Sequence, residues 1–360
     1  MRNWECIDLK AIHGGDIYRN HVLLDFSVNM NPLGIPESVV EALHSAVDQC
    51  GTYPDIHSQE LKLEVSKMLG IPENRLIFGN GASELFLAVV HAFKPKKIVI
   101  PAPSFYGYEH AAKAVQADIS YYYLKEEIEF ALTESIFSYF REDVDMLFLA
   151  TPNNPTGRRV DRRDLNKILT HCRENNIIVV LDECFIEFCV GETENGLSAI
   201  DMLSMYENLI VIRAFTKIFT IPGVRLGYLV CENKGFCEKI MRQLPEWNIS
   251  TFAQKAGAAC AKEQAFIRRT QDYLKSEREF LIQGLKNVKD FQCEIYPGEA
   301  NFLLIYTDQP FYEKLLKKRI LVRDCSNFRG LKNGYYRIAV KSRKENEELL
   351  NVMEEIAWNE

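Results

Sequence analysis

No stretch of the 360-residue chain approaches the roughly 18 consecutive apolar residues a helix needs to cross a bilayer. The first residues, MRNWECIDLKAIHGGD, carry acidic side chains and lack the apolar centre of a secretion signal. A cytoplasmic protein with no membrane partner is therefore expected. Ten cysteines occur without one CxxC pair, which leaves no metal-ligand spacing and argues for reduced thiols used as small apolar side chains. Positive charge is in deficit, with 43 Lys and Arg against 50 Asp and Glu. A net charge of −7 disfavours nucleic acid as the partner, so any anionic ligand must be held by a local group of cations and backbone N–H donors. Repeats, low-complexity tracts and obvious linkers are also missing.

What is present is alternation. Helical spacing in SQELKLEVSKML and ELFLAVVHAF alternates with short apolar runs, RLIF, KKIVIP, MLFLATP, IIVVLDE and NLIVIRAF. Cys184 and Cys189 fall among residues that read as strand. Nearly continuous apolar strands separated by helices predict an α/β fold with a mostly parallel sheet covered on both faces. Beyond residue 251 the pattern changes. One long helix is expected over about 252–288, followed by the strands CEIYPG, NFLLIYT, ILVRDC and YYRIAV and a closing helix. We therefore expect a large domain over 46–250 and a smaller α+β domain over 251–360, to which residues 1–45 add an arm and a segment.

Polar residues gather where these strands end, the place where an open parallel sheet binds ligands. IFGNGASELF puts two glycines between a strand and a helix, a cradle of N–H groups for a phosphate. The third glycine of a dinucleotide fingerprint is replaced by Glu84, and no Walker lysine follows. A single phosphate suits this loop better than NAD or ATP. FLATPNNPTG fixes an irregular loop after its strand, and Asp182 ends five apolar residues. In AFTKIFTIPGVRLGYLV, Lys217 and Arg225 stand in apolar company that a cation does not enter unpaired. Pyridoxal 5'-phosphate resolves these oddities together. It offers an aldehyde to Lys217, a ring nitrogen to Asp182 and a phosphate to Arg225, Ser83 and the glycine cradle.

The ordered set GNGASE, PNNPTG, LDECFIEF and TKIFTIPGVRLGY resembles the fold-type I pyridoxal-phosphate enzymes of the class I/II aminotransferase group, from about His13 to about Lys341. The resemblance implies a seven-stranded type of sheet and a homodimer with shared sites. It implies that Lys217 carries the Schiff base and shuttles protons, that Asp182 pairs with the ring nitrogen, and that Asn154 faces the ring hydroxyl. Phe105 would stack on the ring. Gly81, Ala82, Ser83, Thr216 and Arg225 would hold the phosphate, and Tyr53 would reach that of the neighbouring subunit. Two positions depart from the group's usual pattern. Ala214 replaces a hydroxyl residue, and Phe185 replaces a tyrosine that would support Asn154.

Two branches of the group compete. LDECFIEF and the length resemble histidinol-phosphate aminotransferases. HGGD, LLDFSVNMNPLG and RILVRDCSNFRGL…YYRIAVKS are more similar to the L-threonine-O-3-phosphate decarboxylases of cobalamin synthesis, although that branch usually has HGGN where this chain has Asp16. The favoured expectation is decarboxylation of L-threonine O-3-phosphate to (R)-1-amino-2-propanol O-2-phosphate. Transamination of histidinol phosphate or a similar amino acid is the alternative, and a non-catalytic aminotransferase-like sensor a remote one. In both enzyme readings the substrate is a small phosphorylated amine. Arg337 would clamp a carboxylate, Arg323 the substrate phosphate, and His13 and Asn29 would contact the substrate from the N-terminal side.

Overall fold

The computed structural model describes residues 14–18, 20–191 and 197–358. Strand β1 (Leu24–Asp25) leads into helices α1 (Glu37–Val47) and α2 (Gln59–Leu69). The chain then builds β2 (Leu76–Gly79), α3 (Ala82–Phe93), β3 (Lys97–Ala102), α4 (Tyr106–Ala114), β4 (Asp118–Tyr123), β5 (Met146–Ala150), α5 (Arg162–Glu174), β6 (Ile178–Asp182) and β7 (Leu209–Ala214). A single helical turn, α6 (Phe215–Ile218), precedes β8 (Gly227–Cys231). These strands form a seven-stranded sheet in the order β2-β8-β7-β6-β5-β3-β4. Only β8 runs against its neighbours. Every residue of β5, β7 and β8 is buried, which explains why they read as unbroken apolar runs.

Helices seal the two faces with amphipathic stripes. In α5 the buried Leu165, Ile168, Leu169 and Cys172 recur at helical spacing, and the Asp161 side chain caps the start by accepting from the Arg163 N–H. After β8 come α7 (Lys234–Met241), α8 (Thr251–Cys260) and α9 (Gln264–Asn287). The single long helix expected over 252–288 is thus two helices. Residues 261–263 contain no glycine or proline to announce the break. It coincides with a tertiary contact, because Glu263 leaves helical geometry and its Oε1 accepts a 2.5 Å hydrogen bond from Ser38 Oγ. Gly257 in α8 has a packing reason: a Cβ there would lie 2.4 Å from Leu226 Cδ2 and 2.6 Å from Leu61 Cδ1.

The remaining strands are β9 (Glu294–Tyr296), β10 (Phe302–Tyr306), β11 (Ile320–Leu321), β12 (Arg323–Asp324) and β13 (Tyr335–Ala339), with α10 (Phe311–Lys317) among them and α11 (Arg343–Glu354) closing the chain. A four-stranded antiparallel sheet runs β12-β13-β10-β9. ILVRDC, read as one strand, divides at Val322: β11 pairs in parallel with β1, and β12 joins β13. The strand DISYYY, which sequence reasoning did not single out, is β4, an edge strand that is mostly half-buried and so lacks the unbroken apolar run of its neighbours. Cys184 and Cys189 are not in a strand. They flank a 3-10 turn at Ile186–Phe188, and the cysteines among the described residues are all free thiols.

Candidate active site

The C-terminal ends of β5, β6 and β7 open into a cavity of about 840 Å³ whose far wall comes from the four-stranded sheet and the loop at 326–331. Among the expected residues, Asn29, Ala82, Ser83, Phe105, Asn154, Asp182, Thr216, Lys217, Arg225, Arg323 and Arg337 all line it. Tyr53 does not. It is 80% exposed on the outside, with its ring 4.8 Å from that of Trp247. His13 lies outside the described residues.

Lys217 sits on the single turn that follows β7, so its position is set by a buried strand end. Burial pushes its amine down to about 8, and the positive charges of Arg337 and Arg225 push the same way. At the end of β6, Asp182 is 8% exposed. Its Oδ1 accepts from the Cys184 N–H at 2.8 Å and its Oδ2 from the Tyr108 hydroxyl at 2.5 Å. Burial raises its proton affinity, while the Cys184 and Tyr108 donors oppose that rise. It does not cap a helix.

The glycine cradle is tight. Gly81 has φ +82° immediately before α3, and a Cβ there would lie 2.6 Å from Arg225 Nη2. Glu84 closes the loop from outside, its Oε2 accepting from the Asn80 N–H at 2.7 Å and from Asn248 Nδ2 at 2.9 Å. Arg225 departs from its expected setting. Leu226 and β8 are buried, but Arg225 itself is exposed, with φ +58°, and faces the cavity.

Opposite, Arg337 on β13 is 6% exposed. It donates from Nη1 to Asn154 Oδ1 at 2.6 Å and from Nη2 to Ser27 O at 2.8 Å. Its Nε and the Nδ2 of Asn29 are buried polar atoms without a partner among the described residues. Arg323 on β12 is 8% exposed, donates to Asn327 Oδ1 at 2.8 Å, and lies over the Phe328 ring. Burial lowers the proton affinity of both guanidiniums, that of Arg337 to about 10. Phe185 contributes no hydroxyl and packs edge-on against Phe302 at 5.3 Å, so Arg337 occupies Asn154 instead. Thr216 and Ser83 bring hydroxyls to the same cavity that Ala214 lines. Sequence reasoning missed Tyr108, Cys184, Glu109 and Arg329. Tyr108 lies three residues after Phe105 but carries no charge to mark it, and Arg329 reaches the cavity because its loop folds back onto α4, where it pairs with Glu109 at 3.0 Å.

These residues fit pyridoxal phosphate. A cradle with no room for a side chain faces an exposed arginine, a lysine of lowered proton affinity shares the cavity with a buried carboxylate, and two lining residues carry buried N–H groups without a partner among the described residues. Residues 21–355 match the aminotransferase class I and II family. The chain belongs to that family. Its members are pyridoxal-phosphate enzymes, and so is this chain. It is 35% identical over 357 residues to the threonine-phosphate decarboxylase of Salmonella typhimurium, covering 96% of each chain. It is 33% identical to the histidinol-phosphate aminotransferase of Methanocaldococcus jannaschii, covering 93% of this chain and 89% of that one. The crystal structure of the histidinol-phosphate aminotransferase from Clostridium acetobutylicum superposes with a TM-score of 0.85 at 32% identity, over 92% of this chain and 98% of that one.

Proposed function

We propose that the chain decarboxylates L-threonine O-3-phosphate to (R)-1-amino-2-propanol O-2-phosphate and CO₂. The observation that carries this reading is the pairing of Arg323 with Arg337 as direct cross-strand partners on β12 and β13. Opposed residues on adjacent strands share a face, and like charges placed so are unfavourable. Both are buried; burial is the main cause that lowers the proton affinity of Arg337, and the charge of Arg323 pushes the same way against Cys325 and Asp25. Two guanidiniums facing one cavity suit a substrate with two anionic groups. Threonine phosphate has a carboxylate and a phosphate on the same molecule, whereas histidinol phosphate has no carboxylate. The end-to-end similarity to a threonine-phosphate decarboxylase supports the same choice.

In this reading Lys217, Asp182, Asn154, Phe105, Gly81, Ala82, Ser83, Thr216 and Arg225 hold the cofactor. When bound, pyridoxal phosphate supplies an aldehyde to an amine and a ring that draws electrons from the substrate Cα. The protein's part is orientation and proton placement. Arg337 receives the carboxylate through its planar fork, already steadied by Asn154 and Ser27. Arg323 receives the phosphate, and Asn29 offers beside them an Nδ2 that has no partner among the described residues. Between these anchors the substrate's carboxylate would be held in one direction, the orientation that loss of CO₂ from Cα needs. The reaction ends with a proton delivered to Cα, and the Lys217 amine is the group placed to deliver it. Asp182 keeps a negative charge against the ring nitrogen. We read residues 46–250 as the part that holds the cofactor, and 1–45 with 251–360 as the part that holds the substrate. The chain acts as a cytoplasmic homodimer in which the exposed Tyr53 reaches the site of the second copy.

The test is direct. The purified protein, loaded with pyridoxal phosphate and given L-threonine O-3-phosphate, is expected to release CO₂ and aminopropanol phosphate in equal amounts. Transamination of histidinol phosphate with 2-oxoglutarate, with no CO₂ from threonine phosphate, would overturn the assignment.

A further inference from the structure

The geometry points to Tyr108 as a positioning residue that sets how strongly Asp182 competes for the proton on the cofactor's ring nitrogen. The inference rests on the reading that Asp182 faces that nitrogen. Tyr108 lies on α4, three residues after Phe105, and is 2% exposed. Its ring is stacked on Phe148 at 5.3 Å with an interplanar angle of 11°, and meets Phe86 and Phe105 edge-on at 5.1 and 5.7 Å. An aromatic held by three others cannot swing its hydroxyl elsewhere. That hydroxyl donates to Asp182 Oδ2 at 2.5 Å.

The consequence follows from the count of donors on Asp182. The Cys184 N–H holds Oδ1, the Tyr108 hydroxyl holds Oδ2, and the carboxylate still lines the cavity. These donors, together with the Cys184 side chain, orient the carboxylate and stabilise its charged form. Without the hydroxyl, a buried carboxylate keeps its desolvation cost and loses the donor on Oδ2. Its affinity for a proton rises, and it takes the one shared with the ring nitrogen. The other titratable groups around it are Cys184 and Glu183 on its own segment; Lys217, influenced by Arg225 and Arg337, completes the charged surroundings. Tyr108 therefore controls the charge on the ring through Asp182.

The readout is the pH at which the visible absorbance of the Lys217-bound cofactor changes, measured on the holoenzyme without substrate. A ring that loses its positive charge raises the proton affinity of the nitrogen joined to Lys217. Tyr108→Phe is therefore expected to move the midpoint upward by about one pH unit, the size of one hydrogen bond to a charged group. In the Asp182→Asn background the same substitution is expected to move it no further. An unchanged midpoint, or an equal shift in both backgrounds, overturns the inference while leaving the cofactor reading intact. A wild-type protein that binds no pyridoxal phosphate overturns the cofactor reading first, and this inference with it. Fluorinated tyrosine at 108 keeps the packing and strengthens the donor, so it is expected to move the midpoint downward even if Tyr108→Phe does not fold. No movement with that residue also counts against the proposal.

Discussion

Arg337 and Asn154 lie 183 positions apart and meet across the cavity at 2.6 Å, Nη1 to Oδ1. One belongs to the four-stranded sheet and the other to the loop after β5, so this bond joins the two walls of the site. Arg337→Lys cannot reproduce the fork, because a lysine ammonium is a single point charge. We expect KM for threonine phosphate to rise about 10- to 100-fold, the loss of one hydrogen bond to a charged group. Steady-state kinetics would check it, and a changed kcat with unaltered KM would contradict the placement.

Lys217→Ala should abolish both the visible absorbance of the loaded protein and turnover, while cofactor still binds through the remaining contacts. Spectra taken beside equilibrium dialysis separate the two effects.

The lowered proton affinity of Lys217 gives a pH dependence. Its ordinary value is 10.5, and burial with the nearby arginines brings it to about 8. A neutral amine attacks an aldehyde and an ammonium does not, so below about 8 the reactive form is scarce and above it plentiful. Loading of the apoprotein with pyridoxal phosphate should therefore accelerate as pH rises through about 8 and then level off, well before 10.5. Stopped-flow absorbance measures this.

Gly81→Ala should weaken cofactor binding. The new Cβ must sit at φ +82°, a region side chains avoid, and 2.6 Å from Arg225 Nη2, so the guanidinium must retreat. Losing one charge-assisted contact corresponds to a Kd for pyridoxal phosphate about 10- to 100-fold weaker, with thermal stability much less affected. Fluorescence titration of the apoprotein reads the Kd.

Behind the site, Glu183 accepts from Arg213 at 2.9 and 3.0 Å and also from Ser198 and the Ala199 N–H. Glu183 is fully buried and Arg213 is 7% exposed. Removing one partner of a buried pair strands the other charge, at about 3–5 kcal/mol. Glu183→Ala should lower the urea midpoint accordingly. An unaltered midpoint would mean that another carboxylate, Glu187 at 3.3 Å from Arg213, takes over.

Much of this arrangement was legible because charged residues in apolar runs demand a reason. Lys217 and Asp182 announced themselves that way, and the buried strands β5 to β7 were readable from their continuity. Arg225 was placed in the correct cavity for an incomplete reason, since its neighbours are buried and it is not. What escaped depends on contacts between distant segments. The break before α9 coincides with Ser38 meeting Glu263, and ILVRDC splits because two different strands claim its halves. Tyr108 was passed over because an aromatic among aromatics reads as core, and it is core at every atom except its oxygen.

The division of the cavity between two sheets has a consequence for how such a chain can change. Lys217, Asp182 and Asn154 follow strands of the seven-stranded sheet, whereas Arg323 and Arg337 sit on β12 and β13 of the other. Substitutions on the smaller sheet can therefore alter which molecule is held, and in which direction, while leaving the residues proposed to anchor the cofactor in place. Descendants of one ancestral chain could part company in chemistry by changing one wall, inheriting the opposite wall unaltered.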